Sequence, residues 1–342
     1  MLFFRNDYSN GAHPKVLEAL CQTNLELTIG YGEDHYCQKA SDQIRFLCRC
    51  PQAQVHYLVG GTQANKVALG AFLRPWEAVI TAATGHIQVH EAGAIEHNGH
   101  RLYTIATADG KLQPAKIREL VNLYSQDETA AEPKLVYISN TTELGTVYSL
   151  EELQALRAVC DEMELLLYCD GARLGCAMAV SDAGFADYAA CCDAFTIGGT
   201  KNGLLFGEAL VITNPKLMPS FRRCLKQQGA MLAKGRLLGL QFMAALEDGL
   251  YLQLAQHAVK MAQQLNTGLE TLGLPMLIHS PSNQLFPVLP DAVVKRLAKK
   301  VSFEYWSRVD ENHSCIRFVT AWHTTQEEVQ ALLDLLAKED MV

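Results

Sequence analysis

Three groups that could act on one small molecule follow predicted strands of the sequence. Lys201 comes directly after the apolar run 194–197 and the "GGT" turn at 198–200, and Asp170 ends the apolar run "LLLYCD". A Gly-Gly-Thr turn in "GGTQAN" (60–65) opens a predicted helix. In open α/β sheets the ligand crevice lies at the carboxyl ends of the strands. We therefore expect an amine, a carboxylate and an anion-binding turn to meet on one edge of a sheet.

Each group has an ordinary explanation when it is taken alone. The Gly-Gly-Thr turn could be a tight strand-to-helix connection, Asp170 could cap a helix, and Lys201 could be a solvated loop cation. Lys201 is not the lysine of a P-loop, because Asn202 follows it where a serine or threonine is required. The three groups together favour a binding site, since all of them fall at strand ends.

Pyridoxal 5'-phosphate is a cofactor that needs this set of groups. Its aldehyde forms a Schiff base with a lysine, its ring nitrogen pairs with a carboxylate, and its phosphate suits a glycine-rich helix start. The pattern therefore predicts Lys201 as the Schiff-base lysine and Asp170 as the partner of the ring nitrogen. We interpret the two glycines before Lys201 as a short tether that lets a substrate displace the amine.

A histidine-rich segment, "TGHIQVHEAGAIEHNGH", follows another predicted strand. His86 is placed to stack on the cofactor ring and to move protons near neutral pH. The alternative is a metal site built from His86, His90 and Glu91. That spacing is a weak metal signal without a glutamate between the two histidines, so we predict no metal and interpret His90, His97 and His100 as surface or core residues.

Composition excludes several other classes of protein. The chain has 342 residues and a net charge of -8, which argues against nucleic-acid binding. It has no run of about eighteen apolar residues that could span a membrane, and its start does not look like a signal peptide. The odd number of cysteines, 11, and the absence of a C-x-x-C pair suggest buried, reduced thiols. We therefore predict a cytoplasmic location.

Short β-rich runs alternate with helical patterns through the first two thirds of the chain, which predicts an α/β fold with a mostly parallel sheet covered on both faces. The predicted strands are 55–61, 78–82, 101–106, 134–140, 165–170, 194–199 and 208–212. The predicted helices between them are 63–73, 88–97, 113–124, 149–163 and 181–190.

The pattern changes after residue 212. A long helical stretch over 217–272 precedes a strand at 283–290, a helix at 291–300, a strand at 313–322 and a final helix from Thr325. We predict a large domain over 1–250, with an N-terminal arm, and a small α+β domain over 251–342.

Eight segments carry a family resemblance that runs nearly end to end. They are "FRNDYSNGAHP" (4–14), "GYGEDHY" (30–36), "GGTQAN" (60–65), "TGHIQVHEAGA" (84–94), "YISNTTELGT" (137–146), "DGARLG" (170–175), "GGTKNG" (198–203) and "IRFVTAW" (316–322). The chain resembles the low-specificity L-threonine aldolases, within the β-eliminating lyase group of fold-type-I pyridoxal-phosphate enzymes. The resemblance implies a large domain with a mostly parallel seven-stranded sheet and a small C-terminal α+β domain.

The resemblance also implies a role for individual positions. The residues implied to be catalytic are Lys201, His86 and Asp170. The residues implied to hold the cofactor are Gly61, Thr62, Gln63, His86, Asp170, Arg173, Thr200, Lys201 and Lys234. The residues implied to line the substrate pocket are Asn6, Tyr31, Thr142, Arg173 and Arg317, with Arg317 gripping the substrate carboxylate.

Three positions depart from the family pattern. Asn6 stands where the family usually has a serine, and Thr142 stands where many members carry a histidine that helps to handle the substrate hydroxyl. Leu232 occupies the place of an inter-subunit arginine that binds the cofactor phosphate, with Lys234 or Arg236 as candidate substitutes. The first two departures leave the preferred substrate and the rate open, whereas the third only reassigns an anchor of the phosphate.

The expected reaction is retro-aldol cleavage of L-threonine, L-allo-threonine or a related β-hydroxy-α-amino acid to glycine and an aldehyde, with His86 as the base. The alternatives are β-elimination, transamination or racemisation on the same scaffold, a metal-dependent hydrolase, and a non-catalytic cofactor-binding protein. The resemblance implies a homodimer or homotetramer whose subunits share active sites, and Tyr31 belongs to a loop that borders the neighbouring subunit's pocket.

Overall fold

The computed structural model describes residues 1–124 and 126–338. In chain order its strands are β1 (Leu2–Phe3), β2 (Gln54–Leu58), β3 (Glu77–Ala82), β4 (Leu102–Ile105), β5 (Glu132–Ser139), β6 (Leu166–Asp170), β7 (Ala194–Gly198), β8 (Glu208–Ile212), β9 (Gln284–Leu285), β10 (Val288–Pro290), β11 (Val301–Ser302), β12 (Glu304–Arg308) and β13 (His313–Val319). Its α-helices are α1 (Pro14–Gln22), α2 (His35–Leu47), α3 (Gly61–Phe72), α4 (His86–Val89), α5 (Ala94–His97), α6 (Pro114–Tyr124), α7 (Leu150–Glu162), α8 (Leu174–Met178), α9 (Phe185–Cys191), α10 (Phe221–Gln227), α11 (Arg236–Leu246), α12 (Leu250–Thr271), α13 (Asp291–Leu297) and α14 (Gln326–Leu336).

A seven-stranded sheet forms the centre of the large domain, in the order β2-β8-β7-β6-β5-β3-β4. Neighbouring strands are parallel except at β8, which runs antiparallel to both β2 and β7. Every residue of β3, β7 and β8 is buried, as expected for strands covered on both faces. The predicted mostly parallel sheet of seven strands is confirmed.

Two apolar layers cover the faces of this sheet. Phe195 and Ile197 of β7 point into one layer, together with residues of α2, α7, α9 and α11. Leu58 of β2 and Leu210 of β8 point into the other layer, together with residues of α3 and α10. Alternate strand residues face opposite layers, because the side-chain period of a strand is two.

The small domain packs α12, α13 and α14 against a second sheet, in which β13 lies between β10 and β12 and also pairs with β9. The N-terminal arm joins this domain, because β1 pairs with β11 and Phe4 is buried in the small-domain core. Helix α12 belongs to both cores, with Tyr251 in the large one and Leu265 in the small one. The boundary at 250/251 stays a prediction, and residues 339–342 lie outside the described residues.

Several predicted elements are interrupted in the structure. The helix expected at 88–97 is two single turns, α4 and α5, because Ala92 and Gly93 adopt left-handed φ values of 50° and 74°. The long helical stretch after residue 217 is divided into α10, α11 and α12, with left-handed glycines at Gly229 and Gly249. The strand expected at 283–290 is divided into β9 and β10. No helix in the described ranges is long and apolar enough to cross a bilayer.

Candidate active site

Four connections deliver the candidate groups to the carboxyl edge of the sheet. Strand β6 ends at Asp170, and β7 ends at Gly198, shortly before Lys201. Strand β3 leads through a short turn to His86 at the start of α4, and β2 leads to Gly61 at the start of α3. These strands lie in one sheet, so their ends meet at one edge, as expected from the strand-end rule.

A cleft of about 590 Å³ opens at this edge. His86, Arg173 and Lys201 line it from the large domain, and Arg317 lines it from β13 of the small domain. Glu143 also lines it, from the segment that follows β5. The structure therefore brings together one amine with imidazole, guanidinium and carboxylate groups around one space.

Asp170 lies just behind this cleft and is 4% exposed. Its Oδ2 accepts hydrogen bonds from the Tyr137 hydroxyl at 2.6 Å and from Asn65 Nδ2 at 2.8 Å, and its Oδ1 accepts one from the Ala172 amide at 2.9 Å. Burial alone would raise the pKa of Asp170, but His86, these hydrogen bonds and Lys201 together lower it. Asp170 is therefore an anion, as a partner for a protonated ring nitrogen must be.

His86 is held from behind by Glu91, whose side chain is buried. The His86 Nδ1 and Glu91 Oε1 atoms are 2.8 Å apart, and Asn65 Nδ2 donates to the same oxygen at 2.7 Å. Burial opposes the charged imidazolium, but the Glu91 hydrogen bond and the charges of Glu143 and Asp170 raise the pKa of His86 overall. The arrangement directs Nδ1 to Glu91 and leaves Nε2 as the ring nitrogen free to exchange a proton.

The alternative metal site predicted from the sequence consists of His86, His90 and Glu91. The structure instead groups His86 and Glu91 with Asp170. One ligand atom from each of these three side chains lies within 4.8 Å of the other two. Asn65 Nδ2 donates to both carboxylates, and His86 Nδ1 lies within hydrogen-bond distance of Glu91. These contacts make the three groups a hydrogen-bonded network, and the exposed His90 is not part of it.

Lys201 follows a turn whose glycines are required by close packing. A Cβ at Gly198 would collide with the backbone of Ala172, and one at Gly199 would lie 2.9 Å from the Gly207 carbonyl oxygen. Thr200 Oγ1 accepts a hydrogen bond from the Gly207 amide at 3.1 Å, which fixes the turn. Burial and the charge of Arg173 lower the pKa of Lys201, with partial compensation from nearby carboxylates. A lowered pKa favours the neutral, nucleophilic amine.

Two of the three arginines that line the cleft, Arg173 and Arg317, differ in what they already bind. Arg173 donates through Nε and Nη2 to the two carboxylate oxygens of Asp7, at 2.8 and 3.0 Å. Arg317 donates only a long hydrogen bond, from Nη1 to Gln284 Oε1 at 3.3 Å, and its buried Nε has no partner among the described residues. Its guanidinium carbon lies 5.2 Å from the centre of the Trp306 ring. Arg317 is therefore the better donor for a carboxylate ligand.

The turn before α3 forms an open cradle. A Cβ added at Gly60 or Gly61 would meet no atom within 4 Å, and no side chain caps the helix. Thr62 and Gln63 continue the first turn, and Gln63 Oε1 accepts from the Val59 amide at 3.1 Å. Free amides at the start of a 12-residue helix form a binding site for an anion such as phosphate.

Two further candidates, Asn6 of the N-terminal arm and Thr142 of the large domain, do not line this cleft. Asn6 Oδ1 accepts hydrogen bonds from the Tyr8 amide and the Ser9 hydroxyl, so its side chain closes a local turn. The buried Thr142 hydroxyl lies 2.7 Å from the hydroxyl of Thr146. Their roles in substrate binding stay predictions.

Tyr31 and Lys234 belong to two loops that pack on each other away from the cleft. The Tyr31 amide donates to the Ala233 carbonyl at 3.1 Å, and Arg222 Nη2 donates to the Tyr31 carbonyl at 3.2 Å. Tyr31 and Lys234 are both exposed. Within one chain, neither lines the cleft around Lys201.

Sequence reasoning assigned no role to Asn65, Tyr137, Glu143 and Trp306, and it considered Glu91 only as a ligand of the alternative metal site. Asn65 and Glu91 lay inside quoted motifs, and the position of Glu91 five residues after His86 was its only signal. Glu143 directly follows Thr142. Tyr137 and Trp306 had no distinguishing signal, since Tyr137 looks like a core strand residue and Trp306 reaches the cleft at a register shift between β12 and β13.

The fold and this site define a family of enzymes. The chain belongs to the β-eliminating lyase family, whose model matches residues 4–290. Both the predicted family and the predicted fold class are confirmed.

Individual relatives span almost the whole chain. The structure of Leishmania major threonine aldolase matches with a TM-score of 0.97 and 43% identity, over 98% of each chain. The low specificity L-threonine aldolase of Pseudomonas sp. (strain NCIMB 10558) is 33% identical over 96% of this chain and 95% of its own. A mutant aspartate aminotransferase of Thermus thermophilus shares the fold, with a TM-score of 0.73 at 14% identity over 99% of this chain and 91% of its own.

Proposed function

We propose that this protein is a pyridoxal-phosphate-dependent carbon–carbon lyase that cleaves threonine to glycine and an aldehyde. The observation that carries the proposal is the single cleft that joins Lys201, His86 and Arg317, with the anionic Asp170 directly behind it. The threonine aldolases among its relatives support the same reaction.

The groups of the site fit the cofactor. Lys201 has a lowered pKa and suits the aldehyde, Asp170 suits the ring nitrogen, and the cradle at Gly61 and Thr62 suits the phosphate. When bound, pyridoxal phosphate supplies an aldehyde carbon for the lysine and a conjugated ring that accepts an electron pair released at the substrate's Cα. The absence of a side chain at Gly60 and Gly61 supports this fit, since a Cβ at either position would project into the space beside the cradle.

With the cofactor bound, each residue of the site would have a separate role in the reaction. Arg317 binds the substrate carboxylate through its free guanidinium donors, which fixes the rotation about Cα. His86 Nε2 accepts the proton of the β-hydroxyl, while Glu91 holds Nδ1 and stabilises the resulting imidazolium. Asp170 keeps the proton of the ring nitrogen in place. An imidazole suits the task because the ordinary pKa of a histidine lies closer to neutral pH than that of a carboxylate.

The cofactor experiment tests the class of enzyme. Purified protein is expected to absorb in the visible range, and borohydride is expected to fix the cofactor on a peptide that contains Lys201. Lys201→Ala should abolish this fixation, and Lys201→Arg is the matched control that keeps the charge without a usable nucleophile. A colourless protein that retains zinc would contradict the proposal.

The product experiment tests the reaction. The protein is incubated with threonine, allo-threonine, phenylserine, serine and cysteine, and aldehyde and ammonia are both measured. Glycine with an equimolar aldehyde is the expected outcome for the β-hydroxy substrates. Ammonia with a keto acid would instead assign the site to β-elimination.

A homodimer or homotetramer with shared active sites is part of the proposal. Between α1 and α2 the chain exposes Leu25, Leu27 and Ile29, which are 91%, 100% and 68% accessible. Exposed apolar residues in a row suit an interface between copies, and they lie close in sequence to Tyr31, whose loop packs on the loop of Lys234. Light scattering after gel filtration measures the mass. A monomer at micromolar concentration would contradict this part.

The cytoplasm remains the proposed location. Nine of the eleven cysteines are buried, among them Cys169 and Cys192 of the large-domain core. Burial raises the pKa of several of these thiols, for example that of Cys160 to about 12, so they act as small apolar side chains.

A further inference from the structure

Glu143 is a buried carboxylate with no partner in the cleft. It is 8% exposed, and in the described part of the chain it makes no hydrogen bond or ion pair. The other carboxylate that lines the cleft, Glu304, is paired with Arg5 at 3.0 Å. The carboxylate opens onto the cleft without a donor from the described residues, so it is available to a ligand that brings its own donor.

A short turn holds Glu143 in place. The Gly145 amide donates to the Thr142 carbonyl at 3.0 Å, so Glu143 occupies the second position of a β-turn. The Thr142 amide and hydroxyl are both bonded to Thr146, and Thr146 Oγ1 donates to the Asp109 carbonyl at 2.7 Å. Thr142 therefore acts as an anchor behind the cleft, and Glu143 is the residue of this turn that faces the ligand space.

One glutamine links this turn to the carboxylate-binding arginine. Gln284 Nε2 donates to the Thr142 carbonyl at 3.3 Å, and Gln284 Oε1 accepts from Arg317 Nη1 at 3.3 Å. The spacing between Glu143 and Arg317 is consequently set by a bonded connection. A ligand whose carboxylate is bound by Arg317 would present its next substituents at a fixed distance from Glu143.

The other polar groups around Glu143 are mostly donors. Its charge acts on His86, His90, Arg173, Lys201 and Arg317. A β-hydroxy-α-amino acid has one neutral donor beyond its amine, which is the hydroxyl on Cβ. The guanidinium groups cannot accept that hydrogen bond, whereas an unpaired carboxylate can, as can His86 Nε2 when the imidazole is neutral.

We propose that Glu143 is the residue that recognises the substrate's β-hydroxyl group, by accepting its hydrogen bond within the cleft. The proposal rests on the proposed function and adds a specificity determinant to it. Glu143 distinguishes amino acids with a free β-hydroxyl from those in which it is absent or blocked. The hydroxyl carries a single hydrogen, so it donates to Glu143 when the substrate binds and must turn to His86 Nε2 before the proton is transferred.

Binding measurements on the holoenzyme test this role without relying on turnover. L-Serine, O-methyl-L-serine and L-alanine are titrated, and the initial change in the cofactor absorbance reports the dissociation constant. A hydrogen bond to a charged acceptor favours serine over O-methylserine by about 10- to 100-fold in the unaltered protein. Equal affinities for serine and O-methylserine would overturn the proposal without any variant.

Variants then assign the preference to Glu143. Glu143→Leu removes the acceptor and should abolish the preference for serine, while Glu143→Gln keeps a neutral acceptor and should retain part of it. Alanine binding should change by less than about threefold in both, as expected when no hydroxyl bond is lost. Glu304→Gln is the matched control, since this carboxylate lines the same cleft but is already paired, and it should leave the preference intact.

The outcomes separate this proposal from the proposed function. Equal weakening of serine and alanine in Glu143→Leu would show that the carboxylate acts on the shared amine, and unchanged binding would show that it does not touch the ligand. Either result overturns the proposal while the lyase assignment stands. Failure of glycine and every other amino acid to change the cofactor absorbance would instead refute the proposed function.

Discussion

Replacing Arg317 by alanine tests which arginine binds the substrate carboxylate. Arg173 has Nε and Nη2 committed to Asp7, whereas the Arg317 Nε has no partner and its Nη1 makes only one long hydrogen bond. Removing one partner of a buried, hydrogen-bonded charge pair costs about 2–5 kcal/mol. At about 1.36 kcal/mol per factor of ten, this corresponds to a loss of about 30-fold to several thousand-fold in kcat/KM for threonine.

Two control variants, Arg317→Lys and Arg5→Ala, make the prediction for Arg317→Ala specific. Arg317→Lys keeps the charge but loses the planar pair of donors, so its kcat/KM should lie between those of the unaltered protein and Arg317→Ala. Arg5 also lines the cleft, but its side chain is 55% exposed and it pairs with Glu304. Exposed ion pairs contribute about 0.2–1 kcal/mol, so Arg5→Ala should lower kcat/KM less than about fivefold.

Steady-state kinetics with threonine, combined with titration of glycine against the cofactor absorbance, checks the assignment. Glycine has the carboxylate but no β-substituent, so Arg317→Ala should weaken its binding as well. If Arg317→Ala matched Arg5→Ala in both measurements, the carboxylate would have to bind elsewhere, and the reasoning from unpaired donors would be refuted.

Two further predictions follow from the same contacts. Glu91→Gln removes a charged partner of the imidazole and should lower the pKa of His86, which Glu91, Glu143 and Asp170 raise and Lys201 lowers. The acidic limb of the pH profile of kcat/KM, where the base becomes protonated, should therefore move to lower pH. If this limb did not move, His86 would be excluded as the base. Gly198→Ala should lower the free energy of unfolding of the apoprotein by about 1–3 kcal/mol, because the new Cβ meets the Ala172 backbone, whereas Gly60→Ala meets no atom and should leave chemical denaturation unchanged.

The location of the candidate site at the carboxyl edge of the sheet could be predicted, because the sequence patterns that indicate strands are local. An apolar run that ends in Asp170 or leads to Lys201 specifies both a buried strand and the direction in which its carboxyl end delivers a side chain. The same reasoning placed His86 and Gly61, since both follow strands of the same sheet. The order of the strands in the sheet was not needed for this prediction, because all parallel strands of one sheet end at the same edge.

The partners of these residues could not be predicted from local patterns. Glu91 reaches His86 only because Ala92 and Gly93 break the expected helix with left-handed backbone conformations, and Ala92 gives no sequence signal for one. Asn65 contacts both Glu91 and Asp170, which is a tertiary contact between α3 and β6.

The orientation of side chains within a turn also could not be predicted from the sequence. The resemblance pointed to Thr142 as the altered substrate position, but the turn that it anchors presents the neighbouring Glu143 to the cleft. The identity of a residue at an aligned position does not determine which side chain of a turn faces the ligand, because the hydrogen bonds of the turn decide that.

The distance between Lys201 and Arg317 depends on how the two cores of the molecule are joined. Lys201 follows a strand of the large sheet, whereas Arg317 lies on β13 of the small one. Asp7 of the N-terminal arm binds Arg173 next to the cleft and accepts a hydrogen bond from Asn283 Nδ2 at 2.9 Å. Because β1 of the same arm pairs with β11, the arm connects the small domain to the residue that follows the "DGA" turn. The buried pair between Asp7 and Arg173 therefore ties the N-terminal arm to the large domain beside the cleft and occupies Arg173, whereas the Arg317 Nε has no partner among the described residues.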